Sequence, residues 1–468
     1  MNFLQSKLKL LIDKPEILYL IVATVATLFF AIVTPPFHGP DEDVHFFRAY
    51  QIARGDIILD KNGERLGSCL PVEIYSAVVD SSLTPSIRGY TAQKYDIGQI
   101  KGEILNPVDD PSVCNFVSTT NTYTYNPIAY TPAVVGVGVV NIFNGPPLMA
   151  MYIARAIAAL STVFISFLAI RLLTRRRLLF TVILLTPMML FQQSVISIDG
   201  LSYAILALFV AYIISLYNSK NAVGRWQWIG LTALALSLCF LKPLLFLFIP
   251  IVLLLFRVSR AWTLAILALS FTVLVASSIV TGVVYTNISN EGAEGSGSEQ
   301  QTHILKENPL RSVNVAWNTY MNPYGDGQTI GVIGLFGYAD TQIPLWVYTV
   351  SVINIALALV FASTRERSKS IARGYRVGLI SLMVLYFVGV NAAMYITYSP
   401  VGSEIFYGVQ GRYFLPLLVL LPLLAPYGLA LRDNADTRRV SRYTLVSTVA
   451  VVVLSLIVVF QRYYLFTP

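Results

Sequence analysis

Apolar runs of ~17–25 residues recur along the whole chain, each long enough at 1.5 Å per helical residue to cross ~30 Å of hydrocarbon. Ile17–Val33 and Tyr443–Phe460 are two of them. Few folds accept that pattern. Hydrophobic residues fill 55% of the 468 positions and charged ones 12%, so a water-soluble core could not absorb the apolar surface. A transmembrane β-barrel would read as ~10-residue alternating segments, whereas Tyr443–Phe460 is apolar on every face. The expectation is an all-α polytopic integral membrane protein, one transmembrane domain over residues 1–468.

The net charge of +8 sits in short basic runs beside hydrophobic segments, which reads as topology signals rather than a nucleic-acid surface. Lys7, Lys9 and Lys14 precede the first span, so the amino terminus is expected in the cytoplasm, on an uncleaved helix followed by Pro35-Pro36-Phe37. Arg175–Arg177 then makes Leu148–Leu173 an outside-to-inside span and residues 35–146 one large first extracytoplasmic loop. Within it, Pro127–Phe143 is short and carries two prolines, and reads as a re-entrant or surface-lying helix. Spans near 178–195 and 201–217 form a hairpin with Ser197–Gly200 at its outer tip. Basic residues at both ends of Trp226–Phe256 divide it into two short helices meeting at Lys242-Pro243 outside. A span at Trp262–Tyr285 leads to a second external region, 287–342, polar and Gly/Ser/Glu-rich over 287–301 and so expected to be mobile.

Four more spans follow, near 344–362, 377–397, 413–431 and 443–461. Loop 365–376 holds five basic residues against one Glu, and loop 432–442 four against two Asp, so both belong inside. About eleven spans in the plasma (inner) membrane result, at ~20 residues each. No glycine-rich phosphate loop is present, and ATP is not expected as an energy source.

The segment PPFHGPDEDVHFFRAY, residues 35–50, places three consecutive carboxylates and two of three histidines just outside the first helix. Asp41 could simply cap the helix beginning at Glu42. Capping needs one carboxylate, however, and three side by side repel unless a proton, cation or polar substrate is served. Asp199 lies at the next outer tip, where it too could be a cap, and Lys242 and Arg412 lie at outer helix ends, where they could snorkel or pair. Arg155 falls inside a span and is expected to be paired or to line a polar cavity. Carboxylates that accept a proton and cations that hold a phosphate suit a lipid-linked phospho-sugar, whose anionic group lies at headgroup height. Cys69 and Cys114 share the first loop and are expected to pair; Cys239 is a small apolar intramembrane residue. His38, His45 and carboxylates 41–43 could hold a divalent cation, although no recognised ligand spacing is present. The sequon at Asn287–Ser289 is uninformative by itself.

Four pieces resemble the bacterial membrane-protein family catalogued as domain of unknown function 2142, within the GT-C superfamily of glycosyltransferases. They are PPFHGPDEDVHFFRAYQIARG at 35–55, YNPIAYTP at 125–132, VISIDGLSYA at 195–204 and YGVQGRYFLP at 407–416, with LFGYADTQIP at 335–344 a weaker fifth. The resemblance implies a GT-C-like helical bundle and an inverting transfer from a polyprenyl-phosphate-linked sugar to a glycan, lipid-linked saccharide or protein acceptor. It makes Asp41 the general base with Glu42 beside it, Asp43 leaving open which carboxylate is the base. It makes Asp199 the second-loop acid and sets Lys242 and Arg412 at the donor phosphate. His45, Gln410, Tyr413 and Arg155 complete the expected substrate-binding set. A loop over 287–308 would order over the donor, with no resident metal assigned. The alternatives are a transporter or flippase for a lipid-linked saccharide, and a scaffold without activity.

Overall fold

The computed structural model describes residues 14–79, 94–106, 112–173, 176–242, 244–285, 295–321, 330–361, 371–425 and 435–465. Lys7, Lys9, Arg175, Pro243, the sequon at 287–289 and, of the three loops, residues 287–294, 365–370 and 432–434 lie outside those residues. The chain begins with α1 (Pro15–Val33) and α2 (Glu42–Arg54), followed by β1 (Asp60–Asn62), β2 (Arg65–Pro71), α3 (Val72–Val79), α4 (Ile97–Glu103) and β3 (Cys114–Ser118). A 3-10 turn at Pro127–Tyr130 opens α5 (Thr131–Asn141), and α6 (Pro147–Leu172), α7 (Arg177–Leu184), α8 (Pro187–Ser194), α9 (Asp199–Asn218) and α10 (Arg225–Phe240) follow. A 3-10 segment, Leu245–Leu255, separates α10 from α11 (Arg260–Val284). Then come α12 (Ser298–Glu307), α13 (Arg311–Met321), a two-stranded ribbon of β4 (Leu335–Phe336) and β5 (Thr341–Gln342), α14 (Leu345–Phe361) and α15 (Arg373–Thr397). A 3-10 turn at Gly411–Phe414, α16 (Leu415–Leu424) and α17 (Ala435–Tyr464) complete the chain.

Among the described residues six helices, α1, α6, α9, α11, α15 and α17, are long and apolar enough to cross a membrane, and the pair α7 and α8 would make a seventh if it is one bent span. That pair bends by 61° where Pro187 opens α8, because proline cannot donate the hydrogen bond that would continue the helix. The apolar helices at 127–141, 245–255, 345–361 and 411–424 are shorter. The expected eleven crossings would need such short elements as well.

α6 is the central post, packed against α1, α5 and α9. Gly136 lets α5 lie directly on it, since a Cβ there would come within 2.4 Å of the Ala154 Cα. α9 is the most enclosed of the candidate spans, with 72% of its apolar window buried, whereas α11 and α15 are buried over only 17% and 22%. Apolar surface left open on membrane helices faces lipid or further protein.

The first loop is more ordered than its polar sequence suggests. β1, β2 and β3 form an antiparallel sheet in that order, with Cys69 opposite Phe116 and Cys114 opposite Pro71. The expected Cys69–Cys114 disulfide is formed, at a Cα separation of 5.5 Å, and Cys239 is free.

Candidate functional site

The carboxylates at 41, 42 and 43 leave the chain in different directions, because successive helical residues point ~100° apart. Glu42 turns inward. Its Oε1 accepts from Arg155 Nε at 2.7 Å and from the Ile196 amide at 2.9 Å, and its Oε2 accepts from Arg155 Nη2 at 2.5 Å and the Gly39 amide at 2.9 Å. Arg155 completes its set of donors on the carbonyls of Ala31, Thr34 and Pro35. Both side chains are fully buried, and all five guanidinium hydrogens are used. This pair clamps the end of α1, the start of α2, the tip before α9 and α6 into one unit. Glu42 and Arg155, expected from sequence as catalytic partner and substrate ligand, therefore serve the fold, because neither has a free polar atom to offer.

Asp41 turns the other way. It occupies the position before α2 but makes no side-chain cap, and its backbone is left-handed at φ 56°. The capping reading fails, and the carboxylate instead accepts from Arg412 Nη2 at 2.6 Å. Arg412 also donates to the Pro40 carbonyl at 3.3 Å and lies 3.8 Å from Asp199 Oδ2 through Nε, a buried atom without a hydrogen-bond partner. Asp199 is held at 2.6 Å by Lys242 Nζ, which contacts the Tyr203 hydroxyl at 3.3 Å and sits 4.3 Å from the centre of the Tyr413 ring. Tyr203 donates to the Arg412 carbonyl, and Tyr386 to the Tyr413 carbonyl. Four charged residues, 371 positions apart at the extremes, thus form one chain: Asp41, Arg412, Asp199, Lys242. Asp41 is its accessible end, with a side chain 51% exposed against 5% for Arg412 and 6% for Asp199.

His45 lies one turn along α2. Its Nδ1 is 2.8 Å from the Tyr130 hydroxyl, and its ring packs with Tyr125 and Tyr130. Burial pushes its pKa down to about 4, against the opposing pull of Asp41 and Asp199, so the ring is neutral near pH 7. Burial raises the Tyr125 hydroxyl, with the fields of Tyr413, Asp199 and Asp41 adding to it, which places this tyrosine against the charge chain. Tyr125, Tyr203 and Tyr386 were not assigned roles from sequence, although YNPIAYTP and VISIDGLSYA contain the first two. Gln410 and Arg412 line a cavity of about 50 Å³ with Pro40, Gly337 and Ala339. Asp43 is largely enclosed; burial pushes its pKa up to about 6, with Asp41 and Glu42 adding like charge.

His38 belongs to a neighbouring network. Its Nε2 lies 3.5 Å from Asp340 Oδ2 and its Nδ1 3.2 Å from the Tyr95 hydroxyl, and Asp340 also accepts from Arg462 and Tyr463. The LFGYADTQIP segment is thereby pinned to α17 and to the loop before α2. Among the described residues no three His, Cys, Asp or Glu side chains gather as a metal-ligand set. His38 and His45 turn to different partners, the first to Asp340 and Tyr95, the second to Tyr130.

Fold and site together define a polytopic membrane protein carrying an alternating chain of acids and cations that is largely buried except at Asp41. The chain belongs to the family described as predicted membrane protein DUF2142, whose model matches residues 25–421. That match takes in the whole charge chain. No curated protein and no solved structure matches.

Proposed function

We propose that the protein is a GT-C-type glycosyltransferase that moves a sugar from a polyprenyl-phosphate-linked donor to a cell-envelope glycan, lipid-linked saccharide or protein acceptor. The observation that carries this reading is the pairing of a half-exposed carboxylate, Asp41, with a buried guanidinium, Arg412, in direct contact at 2.6 Å. The donor's phosphate would take the place of the Asp41 carboxylate on Arg412, with Lys242 behind it at Asp199. Released from its cation, the Asp41 carboxylate is free to accept a hydrogen bond from the acceptor hydroxyl. It then takes the proton of the acceptor hydroxyl as that oxygen bonds to the anomeric carbon from the face opposite the phosphate. The bond from that carbon to the phosphate oxygen breaks, and its electron pair leaves on polyprenyl phosphate, whose added charge Arg412 and Lys242 neutralise. One displacement inverts the anomeric centre.

In this reading about eleven segments of ~17–25 residues, several of them short or bent, pass through the plasma (inner) membrane. The amino terminus is cytoplasmic and Asp41 opens to the extracytoplasmic side, the sidedness that the basic loops favour. A flippase or transporter for a lipid-linked saccharide is the second reading, supported by the 61° break between α7 and α8. Proteoliposomes loaded with polyprenyl-phosphate-linked radiolabelled sugar and an envelope-derived acceptor fraction separate the two. Transfer into a covalent product supports the enzyme; movement of intact donor across the bilayer supports the transporter and removes the enzyme.

A further inference from the structure

α13 is apolar on the face it does not pack. Its inward residues are Val315 and Thr319, both buried, with Ala316 and Tyr320 against the core. On the other face Val313, Trp317 and Met321 are 62%, 66% and 63% exposed, and Leu310 just before the helix is 75% exposed. Positions 310, 313, 317 and 321 fall on one side of a helix, so these four make a continuous stripe. A stripe of this kind facing water would be unusual for a stable protein surface.

The height of α13 says what meets it. Asp199 opens α9, whose twenty residues span one hydrocarbon thickness of ~30 Å, so the charge chain marks the edge of the apolar layer. Arg412 is part of that chain, and two residues on, the Phe414 ring packs against Phe387 of α15 with centroids 5.0 Å apart, and Phe387 packs against Tyr320 of α13 at 5.4 Å, both pairs tilted. The Tyr320 hydroxyl also donates to Asn391 at 2.7 Å. The carboxyl end of α13 thus reaches the level of the charge chain, beside a face of α15 where Val384, Leu385 and Val388 are 50% or more exposed. The α13 stripe extends the lipid-facing surface of α15 up to the headgroup layer, where Trp is the favoured residue.

We infer that α13 is a membrane-docking helix whose Leu310, Val313, Trp317 and Met321 insert into the interfacial layer of the leaflet at the Asp41 end. The docked helix is tied to the segment leading into Arg412. Arg311 donates to the Gly402 carbonyl, Asn318 to the Glu404 carbonyl at 3.3 Å, and the Phe406 amide to Thr319 at 2.9 Å, while Gln301 of α12 accepts from the Gly402 amide at 2.8 Å. Lipid contact on one face of α13 therefore fixes the height of residues 402–406, six positions before the guanidinium.

Nitroxide labels at Val313→Cys, Trp317→Cys and, as a control in water, Glu307→Cys, each with Cys239→Ala in the full chain, test this in nanodiscs of phosphatidylethanolamine and phosphatidylglycerol. The labels at 313 and 317 should show a several-fold higher ratio of oxygen to nickel-chelate collision than the label at 307. Equal ratios at all three would overturn the inference. So would immobilised labels at 313 and 317 shielded from both reagents, because that marks a protein partner on the stripe. Because a label could disturb the helix, unlabelled protein is measured too. Brominated lipid should quench a fraction of the tryptophan emission that is lost in Trp317→Phe, and an unchanged quenched fraction would again reject docking.

Discussion

Replacing Glu42 by glutamine tests whether this carboxylate serves the fold rather than the chemistry. Each oxygen accepts two hydrogen bonds, Oε1 from Arg155 Nε and the Ile196 amide, Oε2 from Arg155 Nη2 and the Gly39 amide. A glutamine must present its NH2 group to one of those two pairs, so in either orientation two donors face a donor. Two bonds to a charged group are lost, at ~1.5–3 kcal/mol each, and Arg155 is left as a buried charge without a counter-ion. The first count gives about 3–6 kcal/mol and the second about 3–5 kcal/mol of destabilisation. Replacing both partners, as Glu42→Leu with Arg155→Met, removes the stranded charge and should cost less than the two single changes added together. The assay is thermal or urea-driven unfolding in one detergent, followed by monodisperse recovery from a sizing column. Asp41→Asn serves as reference, since that half-exposed side chain can still accept from Arg412. A Glu42→Gln protein as stable as wild type would refute the reasoning, as would an Asp41→Asn protein equally destabilised.

Three further outcomes follow from the same geometry. His45 has a pKa held near 4 in the fold and ~6.5 when unfolded, so its neutral form contributes fully above pH 6.5 and its contribution falls away as the pH drops from there towards 4. Wild type should lose up to ~3 kcal/mol over that window through this group, and His45→Phe should lose visibly less in pH-dependent melting. Asp43 is the opposite case, an acid raised to about 6, so its ionisation weakens the fold as the pH rises from 3.8 through 6; Asp43→Asn should raise the melting temperature more at pH 8 than at pH 4. Closing the 45-residue separation between Cys69 and Cys114 is worth up to ~4 kcal/mol on a chain-entropy basis, and Cys114→Ser should make the first loop sensitive to limited proteolysis while the rest of the bundle resists.

Much of the bundle can be read from residues. Runs such as 147–172 and 373–397 have a length that only a spanning helix uses well, and their helices appear within a few residues of the expected positions. The bend at Pro187 and the break near Lys242 lie within segments whose composition still reads as apolar, so composition could not give a firm count of crossings. The acidic triplet was visible at once. Its division of labour was not, because adjacent helical residues diverge and only packing decides which meets Arg155 and which meets Arg412. Arg155 was expected to be paired or to line a cavity, and saturation of its five donors comes from carbonyls contributed by the end of α1 and the following turn. The joining of Asp41 and Arg412, 371 positions apart, is beyond local pattern altogether. The small sheet of the first loop escaped notice because strands of three to seven mixed residues carry little periodicity. The α13 stripe did have a helical period, obscured by reading the whole of 287–342 as one external region.

In the proposed reaction Asp41, released from Arg412 by a lipid-linked phosphate, accepts the proton of the attacking hydroxyl. Single-turnover transfer of labelled sugar by wild type and Asp41→Asn, at saturating donor and in matched proteoliposomes, tests it most directly. The account predicts a rate lowered by ~10²–10⁴ with donor binding retained; transfer within a few-fold of wild type would contradict it.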